Sequence, residues 1–249
     1  MSESGELRPR SQSALARGWR NLKKVRNNPV AAFLIDLVVI VGAALVLSVL
    51  IKAFIIRSFY IPSGSMLDTL QVNDRIIVNV MAPELMPLER GDIVVFKDPG
   101  GWLGAVPTKQ REPIQEVADF VLGTFGITAP DSAEHLVKRI IGLPGDTIEC
   151  CDPDGRLLVN GVPIDEPYLK PGVSPSEVDF SVVVPEGQLW VMGDNRPNST
   201  DSRYHQDLPT KGFVPIEVVV GRAFVISWPV ENWLFLDNHP EVFGDVPNP

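Results

Sequence analysis

The longest apolar run of the chain lies near its start, over residues 30–51, and is interrupted by Asp36, Gly42 and Ser48. About 20 apolar residues are enough to cross the hydrocarbon core of a bilayer. The run is longer than the apolar part of a secretory signal peptide, about 7–15 residues, and no small-residue cleavage signal follows it. The pattern therefore predicts an uncleaved transmembrane helix, a signal anchor, over residues 30–52. A buried core helix is the alternative.

After Pro62 the pattern changes to short apolar runs separated by turn signals, which is typical of strands. The runs lie at residues 74–80, 93–96, 137–142, 156–159, 188–192 and 218–227. Without a helical repeat or an alternation of strands and helices, we expect a mainly β body over residues 53–249, an antiparallel sheet or barrel-like. Residues 54–60 are also apolar, and we interpret them as a continuation of the helix or as an interfacial segment.

One stretch of the body, residues 99–134, has a different pattern. It begins with Pro-Gly-Gly-Trp, and Ile114, Val117 and Val121 have the spacing of one helix face. We expect an insertion between two strands that contains one short helix.

The net charge of −9 hides a basic start of the chain. Two glutamates, Glu3 and Glu6, stand against seven basic residues there. These are Arg8, Arg10, Arg17, Arg20, Lys23, Lys24 and Arg26. Basic residues before a span favour a cytoplasmic tail, here residues 1–29, and a body on the other side of the membrane. The acidic body argues against a nucleic-acid partner.

Ser65 and Lys138 are candidates for hydrolytic chemistry. Ser65 follows the apolar span by a few residues, and a serine hydroxyl needs a base to become a nucleophile. In a strand, Lys138 shares a face with Ile140. Its amine is then paired with another group, desolvated and neutral, or in contact with water while its stem is packed. The histidines stand in polar or proline-rich sequence and are predicted to be solvated surface residues: His135, His205 and His239.

Four segments together resemble, in order and in position after a span, the boxes of bacterial type I signal peptidases. They are residues 63–66 with 69–70, residues 90–96, residues 138–146, and residues 192–196 with 198–203. Each box is a weak signal by itself, whereas their joint order is specific. This resemblance implies a membrane-bound serine endopeptidase that removes signal peptides from exported preproteins.

The resemblance also implies roles for individual residues. Ser65 would be the acylating nucleophile, and Lys138 would be the general base that takes its proton and later activates water. Ser63 would donate its hydroxyl to the oxyanion beside the backbone N–H of Ser65. Ser199 would hold the amine of Lys138 in place.

The last box supplies the supporting residues. Asp201 and Arg203 would form an ion pair, and with Ser199 they alternate along the chain, so they would share one face of an extended segment. Taken without the other boxes, this segment fits a turn rich in side-chain to backbone hydrogen bonds. Asp194 and Arg196 fall in a turn and are predicted to be structural.

Substrates of this family carry small side chains at the first and third positions before the cut bond. We expect an extended substrate to pair with the edge of the strand at residues 93–96 and with residues near 61–62. No metal or cofactor is expected; the partners are preproteins and the lipid bilayer. The alternatives are a membrane-anchored β-domain that binds exported chains or cell-wall components, and a self-cleaving Ser/Lys regulator. The span and the lack of a DNA-binding head count against the regulator.

Two further features of the sequence give expectations. Cys150 and Cys151 are adjacent, and Cα atoms about 3.8 Å apart are too close for a relaxed disulfide of about 4.4–6.8 Å. We expect no stabilising disulfide there but two free or partly oxidised thiols, since two ligands are too few for a metal site. The apolar segment 228–236 contains Trp228 and Trp233, which either rest at the level of the lipid headgroups or complete the β core.

Overall fold

The structure, a computed structural model, describes residues 29–104 and 134–249, with the backbone alone for residues 49–54. The predicted basic tail, apart from Pro29, and the predicted helix of the insertion lie outside the described residues. The chain divides into two compact units, Met1–Leu50 and Ile51–Pro249.

The described part of the first unit is helical. Helix α1 extends over Pro29–Phe54, close to the span predicted from the apolar run. Its stretch Pro29–Ser48 has a mean hydropathy of 2.8, and none of it is buried inside the protein. A helix of this length with apolar side chains on all sides is suited to cross a bilayer.

The second unit is a mainly antiparallel β body, as predicted. Its strands are β1 (Ile56–Tyr60), β2 (Arg75–Asn79), β3 (Ile93–Lys97), β4 (His135–Gly142), β5 (Thr147–Cys150), β6 (Leu157–Val159), β7 (Val162–Pro163), β8 (Phe180–Val183), β9 (Gln188–Met192), β10 (Val214–Pro215), β11 (Val219–Trp228) and β12 (Leu234–Phe235). The larger sheet has the order β1-β2-β11-β3-β4-β9-β10, and β12 pairs with β11. The smaller sheet has the order β7-β6-β5-β8. All strand pairs among the described residues are antiparallel.

Strand β3 lies in the middle of the larger sheet and explains its continuous apolar run. Residues 93–96 are all buried, because alternate side chains enter two clusters on opposite faces of the sheet. Ile93 and Val95 pack in one cluster with Met66, and Val94 and Phe96 pack in the other. A strand covered on both faces has no polar side to alternate with the apolar one.

Two expectations about strands are wrong. Residues 56–60 form strand β1, which pairs with β2, and do not continue the helix. Pairing with β2 satisfies the backbone of this apolar segment and buries Phe59, which the sequence pattern alone does not reveal. The edge expected at residues 93–96 is also absent, because β3 is paired with β11 on one side and β4 on the other.

The cysteine prediction is wrong as well. Cys150 and Cys151 form a disulfide in the structure. The expectation rested on the distance between the Cα atoms alone, and a short Cα distance does not prevent the two side chains from bonding.

The C-terminal aromatic residues do not complete the β core. Trp228 and Trp233 are each more than half exposed, and Leu234 and Phe235 beside them are exposed to a similar degree. These residues form an apolar surface with Val230, which we call the aromatic edge.

Candidate active site

Ser65 lies in the loop after β1 and is held through its backbone. The carbonyl of Ser65 accepts a hydrogen bond from the N–H of Asn195 at 3.1 Å, and the side-chain amide of Asn195 donates to the carbonyl of Gly64 at 2.8 Å. Gly193 makes this approach possible, because a Cβ there would collide with the carbonyl of Ser65 and with Ser199. The last box therefore fixes the backbone of the serine loop through hydrogen bonds.

Lys138 lies in β4 opposite Val94 of β3. Side chains alternate between the two faces of a strand, so Lys138 lies on the same face as Leu136 and Ile140. Both of these residues pack with an apolar cluster, and the sequence predicted that Lys138 shares a face with Ile140. Only 3% of Lys138 is exposed. Its Nζ donates a hydrogen bond to Ser65 Oγ at 2.5 Å, so the two residues that the sequence singled out are in direct contact.

The environment of Lys138 shifts its titration. Burial lowers the pKa of Lys138 to about 8, although the carboxylates of Asp201 and Asp194 act in the opposite direction. Desolvation disfavours an ammonium because the charged form loses its hydration. A lysine with this pKa is neutral in a substantial fraction of molecules near pH 8, which an ordinary lysine with a pKa of about 10.4 is not.

The structure brings one of the two remaining serines into hydrogen-bond range of the pair. Ser63 Oγ lies 3.5 Å from Ser65 Oγ, and Ser63 is exposed. Ser199 is 3% exposed and packs on Gly193, and its hydroxyl is among the groups that lower the pKa of Asp201. The role of Ser199 in holding the amine of Lys138 stays a prediction.

Asp201 and Arg203 form the ion pair that was predicted. Arg203 Nε donates to Asp201 Oδ1 at 2.9 Å and Arg203 Nη2 donates to Oδ2 at 2.9 Å. Burial raises the pKa of Asp201, but the hydrogen bonds and charge of Arg203 outweigh it and leave that pKa below its usual value. The Asp201 carboxylate is thus held ionised near Lys138.

The predicted extended segment is wrong in its shape. Arg196–Asn198 and Ser202–Tyr204 are short 3₁₀ helices, and Asp201 caps the second by accepting from the N–H of Arg203. Side-chain to backbone hydrogen bonds compete with a regular strand in a sequence rich in Asp, Asn and Ser. Strict alternation therefore does not hold over residues 199–203.

Asp194 joins three parts of the site. It accepts from Arg139 Nε at 2.9 Å and from Arg139 Nη2 at 2.7 Å, and it accepts from the hydroxyl of Thr69 at 2.5 Å. The side chains of Arg139 and Asp194 are both fully buried. Since Thr69 follows Ser65 and Arg139 follows Lys138, this carboxylate couples the serine loop to the lysine strand.

The surface prediction for the histidines is wrong for His205. Its ring is 7% exposed, stacks on Trp102 at 4.3 Å between ring centroids, and places Nδ1 2.8 Å from the carbonyl of Asp201. His135 is half-buried against Phe59, and His239 lies 3.0 Å from Glu241. None of these contacts is with Ser65.

A cavity of about 130 Å³ opens beside Ser65. Its lining comes from the end of β1 and the serine loop, from residues 135–137, and from Leu103 of the loop after β3. Apolar side chains dominate it, among them Phe59, Met66 and Leu136. A serine beside a buried lysine and a small apolar cavity is an arrangement suited to acyl transfer on a peptide.

Comparison with known proteins identifies the family. The family model described as signal peptidase, peptidase S26, matches residues 34–228, which is more than half of the chain. The chain belongs to the signal peptidase family. This membership confirms the expectations of a serine peptidase and of signal-peptide removal as the family activity, and the family is membrane-anchored.

Individual signal peptidases are similar over most of their length. A probable signal peptidase I from Mycobacterium leprae is 36% identical over 207 residues, covering 72% of this chain and 71% of the relative. Signal peptidase I from Mycobacterium tuberculosis is 35% identical over 218 residues, covering 80% and 74%. A crystal structure of a signal peptidase I from Enterococcus faecalis is 28% identical, with a TM-score of 0.34, and the match covers 54% of this chain and 95% of that one.

Sequence reasoning missed several residues of this signal peptidase site. The Thr69–Asp194 contact joins residues 125 positions apart, and no local pattern reveals it. The pocket lining was also not assigned. One signal was available for Trp102, since a tryptophan has a large apolar area and its burial is favourable even in a Gly-rich loop.

Proposed function

We propose that this chain is a membrane-anchored serine endopeptidase that removes N-terminal signal peptides from exported preproteins, with Ser65 as nucleophile and Lys138 as general base. The observation that carries the proposal is the 2.5 Å contact between Ser65 Oγ and the Nζ of a buried lysine. A pKa of about 8 for Lys138 supports the role of base, because only the neutral amine can accept a proton.

The chemistry proceeds in two halves. Neutral Lys138 takes the hydroxyl proton of Ser65 as Oγ attacks the scissile carbonyl, and the resulting ammonium gives that proton to the leaving amine. This leaves the signal peptide esterified to Ser65. Lys138, again neutral, then removes a proton from water, which attacks the ester. The C–O bond to Ser65 breaks, the ammonium of Lys138 returns the proton to Ser65 Oγ, and the signal peptide leaves as a carboxylic acid.

Ser63 and the backbone N–H of Ser65 are the donors that we assign to the oxyanion. Charge develops on the carbonyl oxygen in the transition state, and donors fixed at that position stabilise it more than the ground state. The exposed position of Ser63, 3.5 Å from the nucleophilic oxygen, supports this role. We keep Ser199 and the Asp201–Arg203 pair as supporting residues, with the pair holding Asp201 ionised near Lys138.

An extended substrate would add to the sheet at β4. Residues 136–138 of β4 pair with β3 on one side. On the other side, β4 pairs with β9 from Arg139 onward, so residues 136–138 have no strand partner there among the described residues. A peptide running along this half-strand would form main-chain hydrogen bonds and place alternate side chains toward the protein. It would bring its scissile carbonyl to Ser65, and the small apolar cavity would receive a small side chain.

The membrane arrangement is the second part of the proposal. We assign residues 1–29 to the cytoplasm, residues 30–52 to the membrane and residues 53–249 to the extracytoplasmic side, because the basic cluster precedes the span. The exposed aromatic edge, with Trp228 and Trp233, supports a body that rests on the outer face of the bilayer.

Cleavage of a preprotein tests the function. The purified full chain in detergent micelles should cut a preprotein at one bond, directly after its signal segment, and N-terminal sequencing of the product locates that bond. The matched control is the same preprotein with bulky residues at the first and third positions before the cut. Binding without cleavage would instead favour the alternative of a β-domain that only captures exported chains.

Protease accessibility tests the orientation. In spheroplasts treated with an external protease, the β body should be digested while an epitope fused to the N-terminus survives. Digestion of the epitope with a protected body would contradict the proposed arrangement, and detergent lysis provides the control in which both are digested.

A further inference from the structure

The loop that leaves β3 folds back onto the body within a few residues. The carboxylate of Asp98 accepts hydrogen bonds from the backbone N–H groups of Gly100 and Trp102, both at 2.9 Å, and of Leu103 at 3.1 Å. One side chain thereby fixes the path of residues 98–103. This segment is the described beginning of the insertion that the sequence predicted.

Trp102 anchors this loop in the interior. It is 8% exposed, its ring stacks on His205 with an interplanar angle of 4°, and it meets Phe96 edge-on at 5.8 Å. His205 is itself fixed through the carbonyl of Asp201. Trp102 is therefore held between strand β3 and His205, which follows the last box, and this packing fixes the position of the next residue.

That next residue, Leu103, lines the cavity beside Ser65. The other lining residues come from β1 and the segment after it, and from the first residues of β4; Leu103 is the contribution of the loop after β3. A side chain that closes a small apolar cavity limits the size of what can enter. Ser65 lines the same cavity, so this limit lies next to the reacting bond.

We propose that Leu103, held in place by the Trp102–His205 stack, sets the upper size limit for the substrate side chain that enters the cavity. The inference rests on the proposed peptidase function and adds a specificity-determining residue to it. Discrimination by an apolar pocket changes by about 10–200-fold for one methylene group. Shortening Leu103 should therefore have a measurable effect on substrate preference.

The experiment measures kcat/KM of the full chain on preproteins that differ at one position, with Ala, Val or Leu at the first or the third residue before the cut. For wild type the Ala substrate should be preferred. Leu103→Ala should lower the ratio of kcat/KM for the Ala substrate to kcat/KM for the Val substrate about tenfold or more at one of the two positions. Leu103→Phe should raise this Ala-to-Val ratio. Trp102→Ala should also lower the Ala-to-Val ratio. Trp102→Phe keeps an aromatic ring on His205 and should have a ratio close to that of the wild type.

Leu85→Ala is the matched control, because Leu85 is 78% exposed and does not line the cavity. An active wild type whose Ala-to-Val ratio is the same in Leu103→Ala, Leu103→Phe and Leu85→Ala would overturn the inference and leave the peptidase function standing. A wild type that cuts none of the substrates would overturn the proposed function itself. Should Leu103→Ala fail to fold, Leu103→Phe and Leu103→Met provide the same comparison.

Discussion

Ser65→Ala and Lys138→Ala should each reduce single-turnover cleavage of a preprotein at least about 10³-fold. Without its hydroxyl the site cannot form the ester, and without the buried amine nothing removes the proton from Ser65, which has its Oγ 2.5 Å from Nζ. When two residues act as one unit, the losses of rate from their single variants do not add. The double variant should therefore cleave at a rate within a few-fold of the slower single variant. Quenched-flow measurement with excess enzyme isolates the chemical step.

The controls for this prediction use the same substitutions elsewhere. Ser181→Ala and Lys170→Ala change exposed residues of the same types and should leave the rate unaltered. A Lys138→Ala variant with a rate close to wild type would mean that another group is the base and that the buried lysine is structural.

Loss of activity in the lysine variant should not come from unfolding. The folded-state pKa of Lys138, about 8, is below the unfolded value of about 10.4 because of burial. The folded state thus binds fewer protons than the unfolded state between these values, and stability rises with pH across that window; below it, the lysine lowers stability by a constant amount. Lys138→Met removes this penalty and should unfold at the same temperature as wild type or a higher one near pH 7, measured by circular dichroism.

Asp194→Asn should lower the free energy of unfolding by about 3–5 kcal/mol and also slow cleavage. It leaves the buried guanidinium of Arg139 without its carboxylate, which is the costly way to break a buried ion pair. It also weakens the link from Thr69 to Arg139, so the serine loop and the lysine strand lose their common support. Urea unfolding and single-turnover rates measure the two effects separately.

A surface carboxylate provides the comparison for Asp194. Asp154→Asn removes a partner of Arg156 at 3.5 Å, with the Asp154 side chain 79% exposed, and should cost about 1 kcal/mol at most. If Asp194→Asn changed neither stability nor rate by more than this control, the carboxylate would not couple the two halves of the site.

The sequence predicted the parts of this protein that follow from a local period. The apolar run gave helix α1 to within about two residues at each end, and the strands at residues 93–97 and 135–142 were expected close to their observed positions. The period of two also put Lys138 on the apolar face of its strand. The roles of Ser65 and Lys138 came from resemblance to a family, since residues alone left the lysine open to a packed but solvated interpretation.

The remaining features depend on contacts between distant segments. Strand β1 is apolar like the helix before it and is a strand because β2 pairs with it. His205 lies in polar sequence, yet a tryptophan about 100 residues earlier covers its ring. Asp194 and Arg139 lie close together because β4 and β9 pair in the observed register. Contacts between segments that are far apart in the sequence cannot be predicted from the pattern of any short stretch of the chain.

The pH dependence of kcat/KM tests most directly the claim that buried, neutral Lys138 is the base for Ser65. The groups that tune it are Asp201 and Asp194, which raise its pKa, and Arg203, which lowers it, while burial has the largest effect. The rate on one preprotein should rise about tenfold per pH unit at low pH and level off above an apparent pKa of about 8. A midpoint near 6.5, the usual value for histidine, or a rate independent of pH between 6 and 9 would contradict the account.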